Sequence, residues 1–218
     1  MCLTPEVDVV TSVAIGALAV DALRHNNNVR TLPIALVPAI FSVHTFSSTV
    51  VWWGHSGAVS PHWGDVAAQF FIAIAFVLLP IYVPLAVLCM EPIGWRRFVL
   101  SLFSLGGVVA GLAYAHHIAI GDSSAVVCNR YVDYHVSGVS FSFGILYDLA
   151  TLGAVFVSSY RVLQYWGAVN VVAIWILAIL DSHGLPSLWC FWAACTSGFI
   201  AWLMRSLARE PIESADLT

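Results

Sequence analysis

The sequence predicts an all-α integral membrane protein, built as one bundle of seven transmembrane helices. Three observations predict this class: the composition, seven long apolar stretches, and arginines that fall almost entirely on one side. The 218 residues are 60% hydrophobic and only 9% charged, with a mean hydropathy of +0.89. Soluble domains carry about 25% charged residues. A soluble chain of this composition would lack a polar coat, so the lipid bilayer is its expected surrounding.

Seven stretches are long and apolar enough to be predicted as transmembrane helices. A hydrocarbon core of about 30 Å requires roughly 20 apolar residues in helical conformation. The predicted helices are Val7–Leu23, Leu32–Trp53, Val66–Met90, Phe98–Ile118, Val139–Tyr160, Trp166–Leu180 and Pro186–Ser206. Residues 1–206 therefore form the expected transmembrane domain, and residues 207–218 form a cytoplasmic tail.

The arginines predict the orientation of the bundle. Seven of them fall in or beside the connections on one side, namely Arg24, Arg30, Arg96, Arg97, Arg161, Arg205 and Arg209. Only Arg130 falls on the other side. Because positive residues accumulate on the cytoplasmic side, the prediction is N-out and C-in. The first apolar stretch is followed, not preceded, by its positive charges and has no small-residue cleavage site, so we expect it to be a retained helix.

The connection between the fourth and fifth predicted helices is longer than the others. It runs from Ala119 to Gly138, and residues 126–136 are rich in β-branched and aromatic residues with turn residues in the middle. This pattern predicts a small β-hairpin over the outer mouth of the bundle. Long loops often carry function, although a hairpin that only covers helix ends is an equal alternative.

Several function classes are excluded by residue types that are missing. The chain has no lysine, so a retinal Schiff base and a phosphate-binding P-loop are both ruled out. The composition is not that of a basic nucleic-acid-binding domain. A net charge of −4 is too small to imply a charged partner.

Several strings together resemble a bacterial domain-of-unknown-function family of multi-pass membrane proteins, whose members open with MCFSA and carry a VWCFFAA-like string in the last helix. The strings here are Met1-Cys2, Leu32–Ala35, Pro80–Pro84, Glu91–Arg97 and Ser187–Ala194. The resemblance covers nearly the whole chain and implies a location in the bacterial plasma membrane, but it implies no activity. The chain departs from the pattern at Leu3-Thr4-Pro5, and Ser48 stands where the family tends to have a glutamate before Val51-Trp52.

The cysteines in the resembling strings suggest one disulfide. Cys2 and Cys190 both lie at expected outer helix starts within those strings, and the outer side permits disulfides. We therefore expect Cys2 to pair with Cys190.

Two ionisable residues are expected near the middle of the bilayer. His44 lies about twelve residues into the second predicted helix, and Asp148 lies about ten into the fifth. Tyr82, between Pro80 and Pro84, is a third polar candidate near a predicted kink. Together they suggest a polar site inside the bundle. The alternative is that Thr45, Ser47, Ser48, Tyr82, Tyr147 and Asn170 satisfy His44 and Asp148 by ordinary structural hydrogen bonds.

Histidines gather at the expected outer side and suggest a metal site. The candidate ligands are His55, His116, His117, His135 and His183, with Asp181 or Asp133 completing the set. Such a set would suit Zn²⁺ or Cu²⁺. No HExxH spacing is present, and histidines at a membrane interface are the ordinary alternative.

Three function classes follow from these features. The preferred interpretation is a transporter-like or ligand-sensing membrane protein that takes a small molecule or lipid at the polar site. The first alternative is a metal-dependent membrane enzyme that uses the outer histidines. The second alternative is a structural or accessory subunit with a partner in a membrane complex.

Overall fold

The computed structural model describes residues 5–128, 131–180 and 185–209, without the side chains of residues 178, 180 and 185–191. The described chain is mostly helical and forms one bundle with a single hairpin. Its helices are α1 Pro5–Arg24, α2 Leu32–Ser56, α3 Pro61–Met90, α4 Trp95–Ala119, α5 Phe141–Val157, α6 Arg161–Leu180 and α7 Leu185–Arg209. Its strands are β1 Ser123–Val127 and β2 Val132–Val136.

Six of these helices extend beyond the predicted stretches, and α5 is shorter. Hydropathy identifies only the apolar middle of a helix, whereas first turns often contain proline or polar residues. Helix α3, for example, begins at Pro61 rather than Val66, with proline in its first turn. Helix α5 ends at Val157 rather than Tyr160 because Ser158 has extended backbone angles.

Three of the described helices are both long and apolar enough to cross a membrane, namely α2, α3 and α4. Helices α5 and α6 contribute shorter apolar runs, Phe141–Val157 and Arg161–Leu177. The coarse prediction of a helical, membrane-compatible chain is therefore confirmed. The finer prediction, seven spans with a defined orientation, stays a prediction.

The polar contacts between helix ends show that the helices alternate in direction. At the end of α1, Asp21 accepts two hydrogen bonds of 2.8 Å from Arg205, near the end of α7. Just after α3, Glu91 bonds to Ser158 and Ser159, just after α5. Helices α1, α3, α5 and α7 therefore end on one side. We call this side the arginine end, because it holds Arg24, Arg30, Arg96, Arg97, Arg161 and Arg205, and the opposite side the hairpin end.

Two helices contain π-helical turns, at Ala73–Leu78 in α3 and Leu149–Gly153 in α5. In α3 the turn precedes Pro80, which has no N–H to donate. The N–H of Leu79 bonds instead to the carbonyl of Ile74, so Ala75 loses its usual helical partner. The Tyr147 hydroxyl of α5 donates to the Ala75 carbonyl at 3.0 Å. A hydroxyl group of a neighbouring helix thus satisfies the carbonyl that the proline-containing turn of α3 leaves free.

Small residues let α4 approach α3 closely. A Cβ atom at Gly107 would overlap the carbonyl of Pro80, and one at Gly111 would lie 2.9 Å from the carbonyl of Val77. Glycines four residues apart on one helix face commonly serve this purpose in membrane bundles. The contact holds the middle of α3, where its proline-containing segment begins.

The predicted hairpin is present, and it enters the bundle. Strands β1 and β2 are antiparallel, with Ser123 opposite Val136 and Val127 opposite Val132. Successive side chains of β2 alternate, so Val132 and Tyr134 are buried while His135 is exposed. The Tyr134 hydroxyl donates to the Ser48 hydroxyl at 3.3 Å, about 12 Å along α2 from its end at Ser56.

Candidate functional site

A cavity of about 420 Å³ lies inside the bundle, between α2, α3, α4, α5, α6 and α7. This volume falls in the range of about 300–1,000 Å³ that small-molecule sites occupy. Most of the wall is apolar. The polar wall residues are His44, Tyr114, Tyr147, Asp148, Thr151, Asn170 and Thr196.

The wall of the cavity is not uniform along the bundle axis. On α2, α3 and α6, its residues toward the arginine end include the aliphatic Ile34, Val87 and Leu163. The polar residues are spread more widely, since His44 lies about halfway along α2 while Thr151 lies nearer the end of α5. On α2, the wall extends over ten residues from Ile34 to His44, which is about 15 Å of helix. The cavity is therefore elongated, and α2 and α3 line it with apolar residues on the arginine side of His44.

His44 is the most buried polar residue on this wall, with 2% of its surface exposed. Its ring stacks on Phe71 at a centroid distance of 3.8 Å, and Phe71 stacks on Tyr134 at the same distance. In the described part of the chain, Nδ1 of His44 has no hydrogen-bond partner. A buried polar atom without a partner costs about 1–3 kcal/mol, so it requires an explanation.

Most of the hydroxyl groups that were expected to satisfy His44 bond elsewhere, and the Thr45 hydroxyl has no partner in the described chain. Tyr82 donates to the carbonyl of Pro33 at 2.8 Å, and Tyr147 donates to Ala75. Ser47 donates to the backbone carbonyl of His44, not to its ring. The described contacts therefore do not include the ordinary structural hydrogen bond that was the alternative explanation for Nδ1 of His44.

Asp148 lies on the same wall, directly before the π-helical turn of α5. Asp148 is exposed, in contrast to His44. Among the described residues, no hydrogen bond to its carboxylate is found; Thr151 bonds only to backbone carbonyls of Tyr147 and Asp148. The structure therefore places His44 and Asp148 on one cavity, whereas Tyr82 lies outside its wall.

Sequence reasoning missed several residues of the site. Phe71 and Tyr134 form the ring stack above His44, and Trp166 and Thr196 have buried polar atoms, Nε1 and Oγ1, without partners in the described chain. The burial of Tyr134 could have been predicted, since Val132 and Tyr134 alternate along the strand with the polar residues Asp133 and His135. No comparable signal marks Trp166 or Thr196, because helix rotation decides which face meets the cavity.

A satisfied polar network closes the arginine end. Glu91 is 1% exposed, and its carboxylate accepts hydrogen bonds from the Ser159 N–H at 3.0 Å and the Ser158 hydroxyl at 3.2 Å. Arg97 donates to the Glu91 carbonyl at 2.8 Å. Nearby, burial and the Glu91 carboxylate raise the pKa of the Tyr160 hydroxyl, so this phenol stays neutral. This network joins the α3–α4 and α5–α6 connections.

The predicted metal ligands are only partly described. His55, His116 and His135 are exposed at the hairpin end. Nδ1 of His117 lies 2.9 Å from Oδ2 of Asp122, at the base of the hairpin. Within residues 5–128, 131–180 and 185–209, no three His, Cys, Asp or Glu side chains are grouped to hold a metal. His183 and Asp181 lie outside the described residues, so the metal site stays a prediction.

The predicted disulfide also falls outside the description, since it needs Cys2 and the side chain of Cys190. Among the cysteines that are described, Cys89, Cys128 and Cys195 are free.

Comparison with known proteins identifies a family and no activity. No curated protein and no solved structure matches the chain. The family described as "Family of unknown function (DUF6629)" matches residues 1–215. This confirms the expected domain-of-unknown-function family in its coarse form, while its sequence strings and bacterial origin stay predictions. Since the match spans nearly the whole sequence, the chain belongs to DUF6629, a family of unknown function.

Proposed function

We propose that the protein is a multi-pass protein of the bacterial plasma membrane in which all seven helices cross the bilayer, N-out and C-in. Three helices already have the length and apolarity that a span requires. The other four belong to the same bundle: α1, α5 and α7 pack against these three helices, and α6 packs against α5 and α7. The arginine end would be cytoplasmic, following the positive-inside rule.

Within this membrane protein, we propose that the cavity binds a small molecule, as in a transporter or a ligand sensor. The single observation that carries the proposal is that His44, a wall residue of the cavity, has a buried Nδ1 without a partner in the described chain. Pockets of this kind, mostly apolar with a few convergent polar groups, are the usual form of a ligand site. The two π-helical turns next to the wall support the proposal, because π-helical turns are frequent at functional sites.

The topology is tested by labelling introduced cysteines in a variant that lacks the native cysteines. Trp63 is 60% exposed near the hairpin end, and Ile93 is 95% exposed at the arginine end. In intact cells, a membrane-impermeant thiol reagent should label Trp63→Cys at once. It should label Ile93→Cys only after permeabilisation, and a reporter fused after Thr218 should be cytoplasmic. The reverse pattern would overturn the orientation.

The binding function is tested by identifying small molecules that co-purify with the protein. Thr196→Phe places a ring into the cavity, whereas Thr45→Val removes a buried unpartnered hydroxyl that is not on the wall. We expect mass spectrometry to find a retained molecule with the wild type and with Thr45→Val, and not with Thr196→Phe. Equal retention by both variants, or none by the wild type, would contradict the proposal.

A further inference from the structure

We infer that the cavity takes a single-chain amphiphile with an uncharged, hydroxyl-type head group, which enters sideways from the bilayer and places its head at His44 and its chain toward the arginine end. This inference rests on the proposed binding function and names the class of its ligand.

The unpartnered atoms of the wall specify the head group. Nδ1 of His44 and Oγ1 of Thr196 are both buried without partners in the described chain. A neutral imidazole nitrogen accepts or donates according to its tautomer, and a threonine hydroxyl does both. A ligand hydroxyl also does both, so it can satisfy either tautomer of His44. Such a head would remove the cost of leaving these atoms unpaired.

The charges on the wall disfavour an ionised head group. None of the described wall residues is arginine, and the chain has no lysine, so a carboxylate or phosphate would find no counter-charge. Asp148 would also repel it. An ammonium could approach Asp148, but that residue is exposed at the opening, while His44 is buried. Carrying an unpaired charge to the level of His44 would be costly in this apolar surrounding.

The other half of the cavity suits a hydrocarbon chain. From the level of His44 toward the arginine end, the wall presents Ile34, Val37, Val83, Val87 and Leu163. This part extends about 15 Å along the bundle axis. Apart from the indole N–H of Trp166, the described wall there offers the ligand no unpartnered polar atom. A flexible chain would bury its apolar surface against these side chains.

In the part of the chain that the structure describes, side chains lie over the cavity at both ends, which leaves the side of the bundle as the path of access. Tyr134 and Phe71 cover His44 from the hairpin end, and the Glu91 network closes the arginine end. On the side, Asp148 is both a wall residue and exposed, and Ile145 and Leu149 on the same helix are 45% and 52% exposed. These apolar neighbours belong to a surface that would face lipid. A ligand that passes Asp148 therefore comes from the bilayer, which selects membrane-dissolved amphiphiles.

The experiment uses the full-length protein in lipid vesicles with a photoreactive diazirine analogue of dodecan-1-ol. Labelled peptides are located by mass spectrometry, and the label is competed with dodecan-1-ol, dodecanoic acid and dodecylamine at neutral pH. We expect labelling within α2, α3 or α6, with the alcohol competing roughly tenfold better than the acid or the amine. Equal or better competition by the acid or the amine would overturn the uncharged head group.

Variants then test where the head group lies. His44→Phe preserves a ring on Phe71 but removes the nitrogen, and Thr196→Val removes the second partner; each should lower labelling roughly tenfold. Thr45→Val, off the wall, should leave it unchanged. Unaltered labelling in both wall variants would overturn the placement of the head.

The two proposals fail differently. If the analogue labels no wall peptide while another molecule still co-purifies with the wild type, the amphiphile is wrong and the binding function stands. If nothing co-purifies either, both are overturned.

Discussion

Two buried polar residues in different regions of the bundle, Glu91 at the arginine end and His44 at mid-depth, differ in how their polar atoms are satisfied. At the arginine end, Glu91 is buried and its carboxylate is hydrogen-bonded by Ser158 and Ser159. In the middle of the bundle, His44 is just as buried, but its Nδ1 has no hydrogen-bond partner among the described residues. The carboxylate of Glu91 is satisfied within the chain, and Nδ1 of His44 is not.

This difference separates structure from function within one molecule. A satisfied buried network contributes to stability, and removing one member leaves its partners unpaired. An unpartnered buried group lowers stability and is tolerated where something else uses it. A substitution at Glu91 should therefore lower the stability of the protein, whereas a substitution at His44 should lower ligand binding.

The largest effect is expected for Glu91→Ala at the arginine end. This change leaves the Ser158 hydroxyl and the Ser159 N–H without their acceptor in a buried place. The free energy of unfolding in mixed micelles should fall by about 2–4 kcal/mol. Ser206→Ala, at the same end, loses only one local, exposed hydrogen bond to Trp202 and should be nearly neutral. Equal stability of the two variants would remove the contrast between the ends.

A smaller loss is expected for Gly107→Ala, which tests the rigidity of α3 between the two ends. The new methyl group would overlap the Pro80 carbonyl, and backbone cannot move aside as a side chain can. Overpacking of this kind costs about 1–3 kcal/mol. The control is Gly198→Ala, where nothing lies within 4 Å of the added Cβ. The stability of that control should be unchanged or rise by up to about 1 kcal/mol, because alanine favours a helix more than glycine does. Thermal unfolding of both variants measures the difference.

His44→Phe should change stability little, in contrast to Glu91→Ala. The substitution keeps an aromatic ring on Phe71 and removes an unpartnered polar atom. The unfolding free energy should stay within about 1 kcal/mol of the wild type or rise. A loss as large as that of Glu91→Ala would mean that His44 is a structural residue, and the comparison between the ends would fail.

The smallest effect is expected for Asp21→Asn. Asp21 and Arg205 form an ion pair with two hydrogen bonds of 2.8 Å, but Arg205 is exposed. Exposed pairs contribute little because water and salt screen them. The unfolding midpoint should not change measurably in either low or high salt. A clear, salt-dependent drop would show that this pair belongs to the closing network of the arginine end.

Much of the fold could be predicted from local signals. Seven apolar stretches appear as seven described helices, since a helix satisfies its own backbone hydrogen bonds and needs no distant partner. The hairpin follows from β-prone residues around a turn. The ends of the helices were less predictable, because first turns such as Trp95-Arg96-Arg97 lie outside the apolar stretch.

The site was predictable only in part. Depth along the helix placed His44 and Asp148 near one level, since each residue adds a constant rise. Tyr82 was predicted as a third polar member of the site, yet its hydroxyl bonds to Pro33 and it is not a wall residue of the cavity. The π-helical turn before Pro80 also rotates the residues that follow it, and sequence spacing alone does not show that rotation.

The sequence by itself determined the helical class, the number of apolar helices, the hairpin and the side on which the arginines gather. Each of these depends on residues near one another in the chain, or on the transfer of side chains between water and lipid. Only the tertiary structure decided that Tyr134 reaches Phe71, that Glu91 is satisfied and that the ring nitrogen of His44 is not. Those outcomes depend on how helices rotate and pack against each other, and packing joins residues that are far apart in sequence.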